Sequence, residues 1–195
     1  MVQVTFWWAE QTFSVPHLLQ FMNISENLML GSAILSFNVG GARLSVYPYE
    51  TVRLSMFDML IEGRPGHNVS NAAQILNALS PLFSSVVDLT LDYKDNRPSP
   101  ELQNKAEPTD WCILLRLFNN MKTLFVASSV VGILSCSLQL HNGESPNNLL
   151  PELKELAYSP SNDNADAFSG FIDAHQNAGH PVTLVHPKDD ISTPF

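Results

Sequence analysis

Basic residues are scarce: ten lysines and arginines stand in 195 residues against nineteen aspartates and glutamates, for a formal net charge of −9. Affinity for a phosphate backbone comes from cations that displace condensed counterions, so this balance argues against nucleic acid as a partner. Cysteine is scarcer still, with Cys112 and Cys136 alone. Two cysteines build neither a disulfide framework nor a four-ligand zinc site, and both read as small apolar side chains inside a core. No apolar run approaches the roughly 18 residues of a membrane-spanning helix, so no membrane partner is expected. The opening stretch MVQVTFWWAEQTF has no basic flank, and Glu10 and Gln11 break its apolar run, which argues against a secretory signal. An intracellular protein, cytoplasmic or nuclear, is the expectation, and the sequons at Asn23 and Asn68 then carry no sugar.

Catalytic signatures are missing as well. Gly40-Gly41 lacks the further glycine and the lysine of a phosphate-binding loop and reads as a hairpin turn. No G-x-S-x-G elbow holds a serine beside an oxyanion hole, so a hydrolase is a distant third reading. His175, His180 and His186 lie near Asp173, Asp189 and Asp190 in the chain, but in no zinc-ligand spacing, and His175 reads as a structural side chain on a helix face. Neither a cofactor nor a metal is expected, and the chain reads as non-enzymatic.

What the chain does have is a recurring unit. A helix from Asn68 or Ser70, with Ala72, Ile75, Leu76 and Leu79 as its apolar face, ends at Pro81 and leads to the alternating strand VDLTLDY (87–93). After a polar loop over 94–108, Thr109 caps a second helix faced by Trp111, Leu114, Leu115 and Phe118, followed by the strand KTLFVA (122–127). A third unit runs from Val130 through Leu138, breaks at 141–146 and resumes at LLPELKELAYS. The fourth, capped near Asp163 or Asn164, presents Phe168, Phe171, Ile172 and His175, stops at Gly179 and gives the strand VTLVH.

The units share a rhythm. Phe83, Val86, Leu89 and Leu91 fall in steps of three, three and two; so do Phe118, Met121, Leu124 and Val126, and again Leu150, Leu153, Leu156 and Tyr158. One helix and one strand cannot bury their own apolar faces, so successive units must stack with parallel strands side by side. Residues 1–187 read as one domain, irregular over 1–67 and built of four helix-strand units over 68–187, with 188–195 a disordered tail. Within 1–67, a helix over 15–24, two strands joined at Gly40-Gly41 and a strand over 52–61 are expected. Trp7 and Trp8 fit a recognition surface, a packing remnant or the core.

The spacing L-x-x-L-x-x-L-x-L is the strand signature of leucine-rich repeats. The run LSPLFSSVVDLTLDY, DWCILLRLFNNMKTLFV, LLPELKELAYS and DAFSGFIDAHQNAGHPVTLV resembles the C-terminal leucine-rich region of F-box-like proteins numerous in mushroom-forming (basidiomycete) fungi. That resemblance covers residues 15 to 187 and is most specific in the last 120. It implies an α/β fold, an open leucine-rich-repeat-like solenoid with a parallel sheet. It also implies a protein-binding role like that of the substrate-holding repeats of F-box ubiquitin-ligase receptors. The repeats are degenerate, because Lys94, Ser129 and Ser161 stand where an asparagine ladder is usual. No segment reads as an F-box: LLPELKEL opens like one but runs into SPSNDNAD, a turn-forming cluster. A Skp-type adaptor is therefore not an expected partner, and the alternative is a truncated family member or gene fragment without independent activity.

If the chain binds a protein, the outward strand positions are the expected surface: Asp88, Thr90 and Asp92, then Thr123 and Phe125, then Glu155 and Ala157. Their acidity suits a basic partner patch, and solvated strand positions are the alternative.

Overall fold

The computed structural model describes residues 2–7 by backbone, and residues 30–49, 57–62, 67–94, 108–139, 149–158 and 166–185 in full. Expectations for residues 15–24, for caps at Asp163 or Asn164, for His186 and for the tail over 188–195 lie outside these ranges. Eight strands, β1 (Val2–Trp7), β2 (Leu30–Asn38), β3 (Gly41–Pro48), β4 (Phe57–Glu62), β5 (Asp88–Tyr93), β6 (Thr123–Val126), β7 (Glu155–Tyr158) and β8 (Thr183–Val185), form one open sheet. Its order is β1-β4-β3-β2-β5-β6-β7-β8. Helices α1 (Asn68–Ala78), α2 (Ser80–Phe83), α3 (Pro108–Arg116), α4 (Ser128–Ser137) and α5 (Ser169–Asn177) fall between the later strands.

Strands β2, β5, β6, β7 and β8 are mutually parallel, each of the last four preceded by a helix, as the repeating unit requires. In the first part of the chain β2–β3 and β3–β4 are antiparallel, the former as the hairpin reading of that turn implies, and β1 lies parallel to β4, so the parallel sheet of the repeating units does not extend over the whole molecule. The cause is local: a two-residue turn, Val39-Gly40, joins β2 to β3, and so short a connection only closes an antiparallel pair. The Asn38 side chain accepts the Gly40 N–H at 2.8 Å and fixes that turn. Gly41 is therefore the first residue of β3 and not part of the turn.

The three, three, two rhythm has a backbone cause. In each unit the carbonyl of the first position accepts the N–H three residues on: Phe83 from Val86, Phe118 from Met121 and Leu150 from Leu153, each at 3.1 Å. This single turn leads into the strand with both side chains buried, and the next two apolar positions then alternate along the strand. All twelve side chains are at most 3% exposed. Phe83 meets Phe118 ring to ring, with centroids 5.5 Å apart, so first positions of adjacent units touch. Leu150 adopts a left-handed conformation, φ 61°, which costs a non-glycine residue about 1 kcal/mol and is offset by its burial.

Register aligns these positions across the sheet. Phe57, Val46, Ala33, Leu89, Leu124, Leu156 and Leu184 form one row from β4 to β8. Met59, Leu44, Leu35, Leu91, Val126 and Tyr158 form the next. Both rows join the core into which the helices dip, α1 lying against α3 and α3 against α4 in chain order.

Caps are corrected. Asn68 is the first residue of α1, His67 precedes it, and no side chain caps that end. Asn68 is 3% exposed and donates to the Asn38 carbonyl at 2.6 Å, so its amide ties helix to hairpin instead. Thr109 is the exposed second residue of α3, after Pro108, whose fixed φ and missing N–H suit a first turn. Pro81 does not end α1, which stops at Ala78; it sits in the first turn of α2, where its lack of an N–H costs nothing. Cys136 is exposed and Cys112 only partly buried, against the expectation of two core thiols.

Gly179 ends α5 with φ 83°, as its position suggests. His175 is fully buried, its ring centroid 4.5 Å from that of Phe171. The backbone of Leu149 and His180 lies beside the ring without a well-directed hydrogen bond to either nitrogen. Burial, and secondarily the His180 side chain, hold its pKa below the ordinary 6.5, and the nearby backbone offsets them only in part. The unfolded chain then binds a proton that the folded chain refuses, so stability is full above pH 6.5 and declines as pH falls below it. Urea titrations at about pH 7.5 and about pH 5.5 should give a lower midpoint at the acid value, and His175→Leu should shrink the difference.

Candidate functional site

Opposite the helices, register sorts the outward side chains into three rows. Ser32, Asp88, Thr123, Glu155 and Thr183 form the first, and Ile34, Thr90, Phe125, Ala157 and Val185 the second. Asp92 lies beside Ser36 in the third. All seven residues singled out in the sequence thus share one face, because parallel strands in register repeat each position about 4.8 Å farther along. Asp88 and Glu155 are exposed, while Thr90, Asp92, Thr123 and Phe125 are half-buried. Ala157 departs from the expectation: at 8% exposure it is a floor between Phe125 and Val185, since its short side chain does not rise above its neighbours.

Charge divides this face. On the antiparallel side, Asp58 accepts a hydrogen bond from Ser45 and pairs with Arg43 at 3.5 Å, so its carboxylate is compensated. Burial raises the Tyr47 hydroxyl pKa on the same strand, with Ser45 acting in the opposite sense. On the parallel side the outward positions of β5 to β8 include Asp88, Asp92 and Glu155, and no lysine, arginine or histidine. Asp92 also accepts its neighbour's backbone N–H, from Tyr93, at 2.7 Å. Asp88 and Glu155, two strands apart, are about 10 Å from each other by strand spacing.

Ser32, Ile34, Thr183 and Val185 belong to the same rows and were missed in the sequence. Alternation in SAILSFN marks Ile34 as opposite Ala33 and Leu35, but nothing local says that β2 pairs with β5. Of the histidine-aspartate set, His175 is buried while His180 and Asp173 are exposed; His186, Asp189 and Asp190 are outside the described ranges. Among the described residues, no three histidine, cysteine, aspartate or glutamate side chains gather closely enough to share a metal ion. None of the described helices is long and apolar enough to cross a membrane. A concavity of about 440 Å³ lies on the helix side, walled by Ser80 and Ser84 near α2 and by Ile113, Arg116 and Asn119 of α3 and its C-terminal turn.

No protein-family model matches the sequence, and neither a curated protein nor a solved structure matches it.

Proposed function

We propose that this chain is a non-catalytic protein-binding module, an open leucine-rich-repeat-like solenoid that holds its partner on the outward face of β5 to β8. The reading rests on one observation: four parallel strands in register set their outward side chains in straight rows, with charged residues beside a half-buried aromatic. Such a surface is extended and built on rigid elements, which suits recognition of a macromolecule. By resemblance the role is that of the substrate-holding repeats of an F-box receptor, acting inside the cell.

Site-specific photocrosslinking tests this. A benzoylphenylalanine at position 125 or 155 should trap the same protein in cells that express the chain natively. The same group at Gln74, exposed on α1, should trap none. No adduct at either strand position, or an equal yield at Gln74, would replace the proposal with a family fragment lacking independent activity.

A further inference from the structure

Resting on the strand-face reading, we infer that the partner is a basic protein segment with an apolar anchor, laid across β5 to β8. The anchor sits on Phe125 and its cations lie toward Asp88, Glu155 and Asp92. Two independent features of the face meet in this assignment. The first is the middle row, where Ile34, Phe125 and Val185 present partly or fully exposed apolar surface on either side of Thr90 and Ala157. A half-buried phenylalanine there is a firm platform for one large side chain, since little freedom remains for it to lose on binding.

The second feature is the pattern of charge around that row. Asp88 and Glu155 flank it on one side and Asp92 on the other; the outward positions within β5 to β8 hold no cation, and the exposed lysines Lys94, Lys122 and Lys154 lie just beyond the strand ends. Asp58 shows the contrast within the same sheet, because Arg43 already neutralises it. Carboxylates about 10 Å apart lie near the screening length at physiological salt, so a cation between them is drawn by more than one. Acidic surfaces, phosphate backbones and anionic membranes are repelled by the same groups and by the chain's net charge of −9. A second copy docking symmetrically would set these carboxylates against themselves. Complementarity therefore selects lysine- and arginine-bearing segments.

The test is selection of random dodecapeptides displayed on phage against the immobilised full chain, with winning peptides synthesised and measured by fluorescence anisotropy. Enriched sequences should carry at least two lysines or arginines around an aromatic or large aliphatic residue. Binding should weaken as sodium chloride rises from about 50 to about 300 mM. The double substitution Asp88→Lys with Glu155→Lys should weaken it at least about tenfold, and Phe125→Ala should weaken it too. Both lysine substitutions fall at exposed positions, and an unchanged thermal transition confirms that the fold is intact. Neutral or acidic winners that are lost with Phe125→Ala overturn the basic partner and keep the strand-face reading. Winners indifferent to all three substitutions overturn both. Enrichment of no peptide overturns the inference, leaving the crosslinks at position 125 to judge the broader reading. Self-association of the chain that disappears with Phe125→Ala assigns the face to a second copy and also overturns it.

Discussion

Phe118→Ala should lower the stability of the fold by about 4 kcal/mol, the usual cost of emptying a phenylalanine site that cannot collapse. The site is of that kind. Phe118 is fully buried, and its ring lies against that of Phe83. Its carbonyl also accepts the turn N–H of Met121, so the backbone around the lost ring is pinned. In a chain of this length the midpoint of thermal unfolding should fall by roughly 10 °C, as read by circular dichroism. Phe125→Ala is the internal control: the same change seven residues later removes a half-buried ring from the outward face and should cost less than about 1 kcal/mol. Equal losses at the two positions would contradict the assignment of faces.

Gly41→Ala should be almost as damaging, at about 3 kcal/mol, although it adds one methyl group. A β-carbon at Gly41 would overlap the carbonyl oxygen of Ile61 and crowd the Cα of Glu62. Those atoms are backbone of β4, paired with β3 through residues 41 to 46, and they cannot swing aside as a side chain would. Room for the methyl group comes only by parting β3 from β4, which loosens the attachment of β4 and of β1 beyond it. Amide hydrogen exchange should show lost protection concentrated in β1, β3 and β4, with β6 to β8 unaffected. Gly132→Ala, in helix α4 with open space around the added carbon, should instead be neutral or stabilising.

The two substitutions bracket what could be read from the residues alone. The second half of the chain was legible because its pairings are local: each strand lies beside the next in sequence, and the three, three, two rhythm announces both the turn and the inward positions. The seven candidate surface residues followed from that alternation, and the structure brings them onto one face. The first part resisted because its decisive contacts are distant. β2 pairs with β5 about 55 residues later in register, and β1 pairs with β4 across the same separation, and no short-range pattern encodes either. Gly41 was misread for a related reason, since its need for a bare backbone arises from β4 and not from the turn beside it. Asn68 looked like a cap because asparagine favours caps, but a partner in the hairpin claims its amide. Cys136, one residue before the buried Ser137, faces solvent because burial on a helix follows angle and not residue type.

The strand order has a mechanical meaning. β1 and β8 occupy opposite edges of the sheet, seven strand spacings or about 34 Å apart. A pulling force applied through those two strands runs across the sheet, along its hydrogen bonds. It loads one ladder at a time, beginning with the three-residue edge strand β8, whose loss leaves β7 as the next edge. Such a sheet peels under tension rather than shearing. It would yield at low load in steps of one helix and one strand, a soft and stepwise spring.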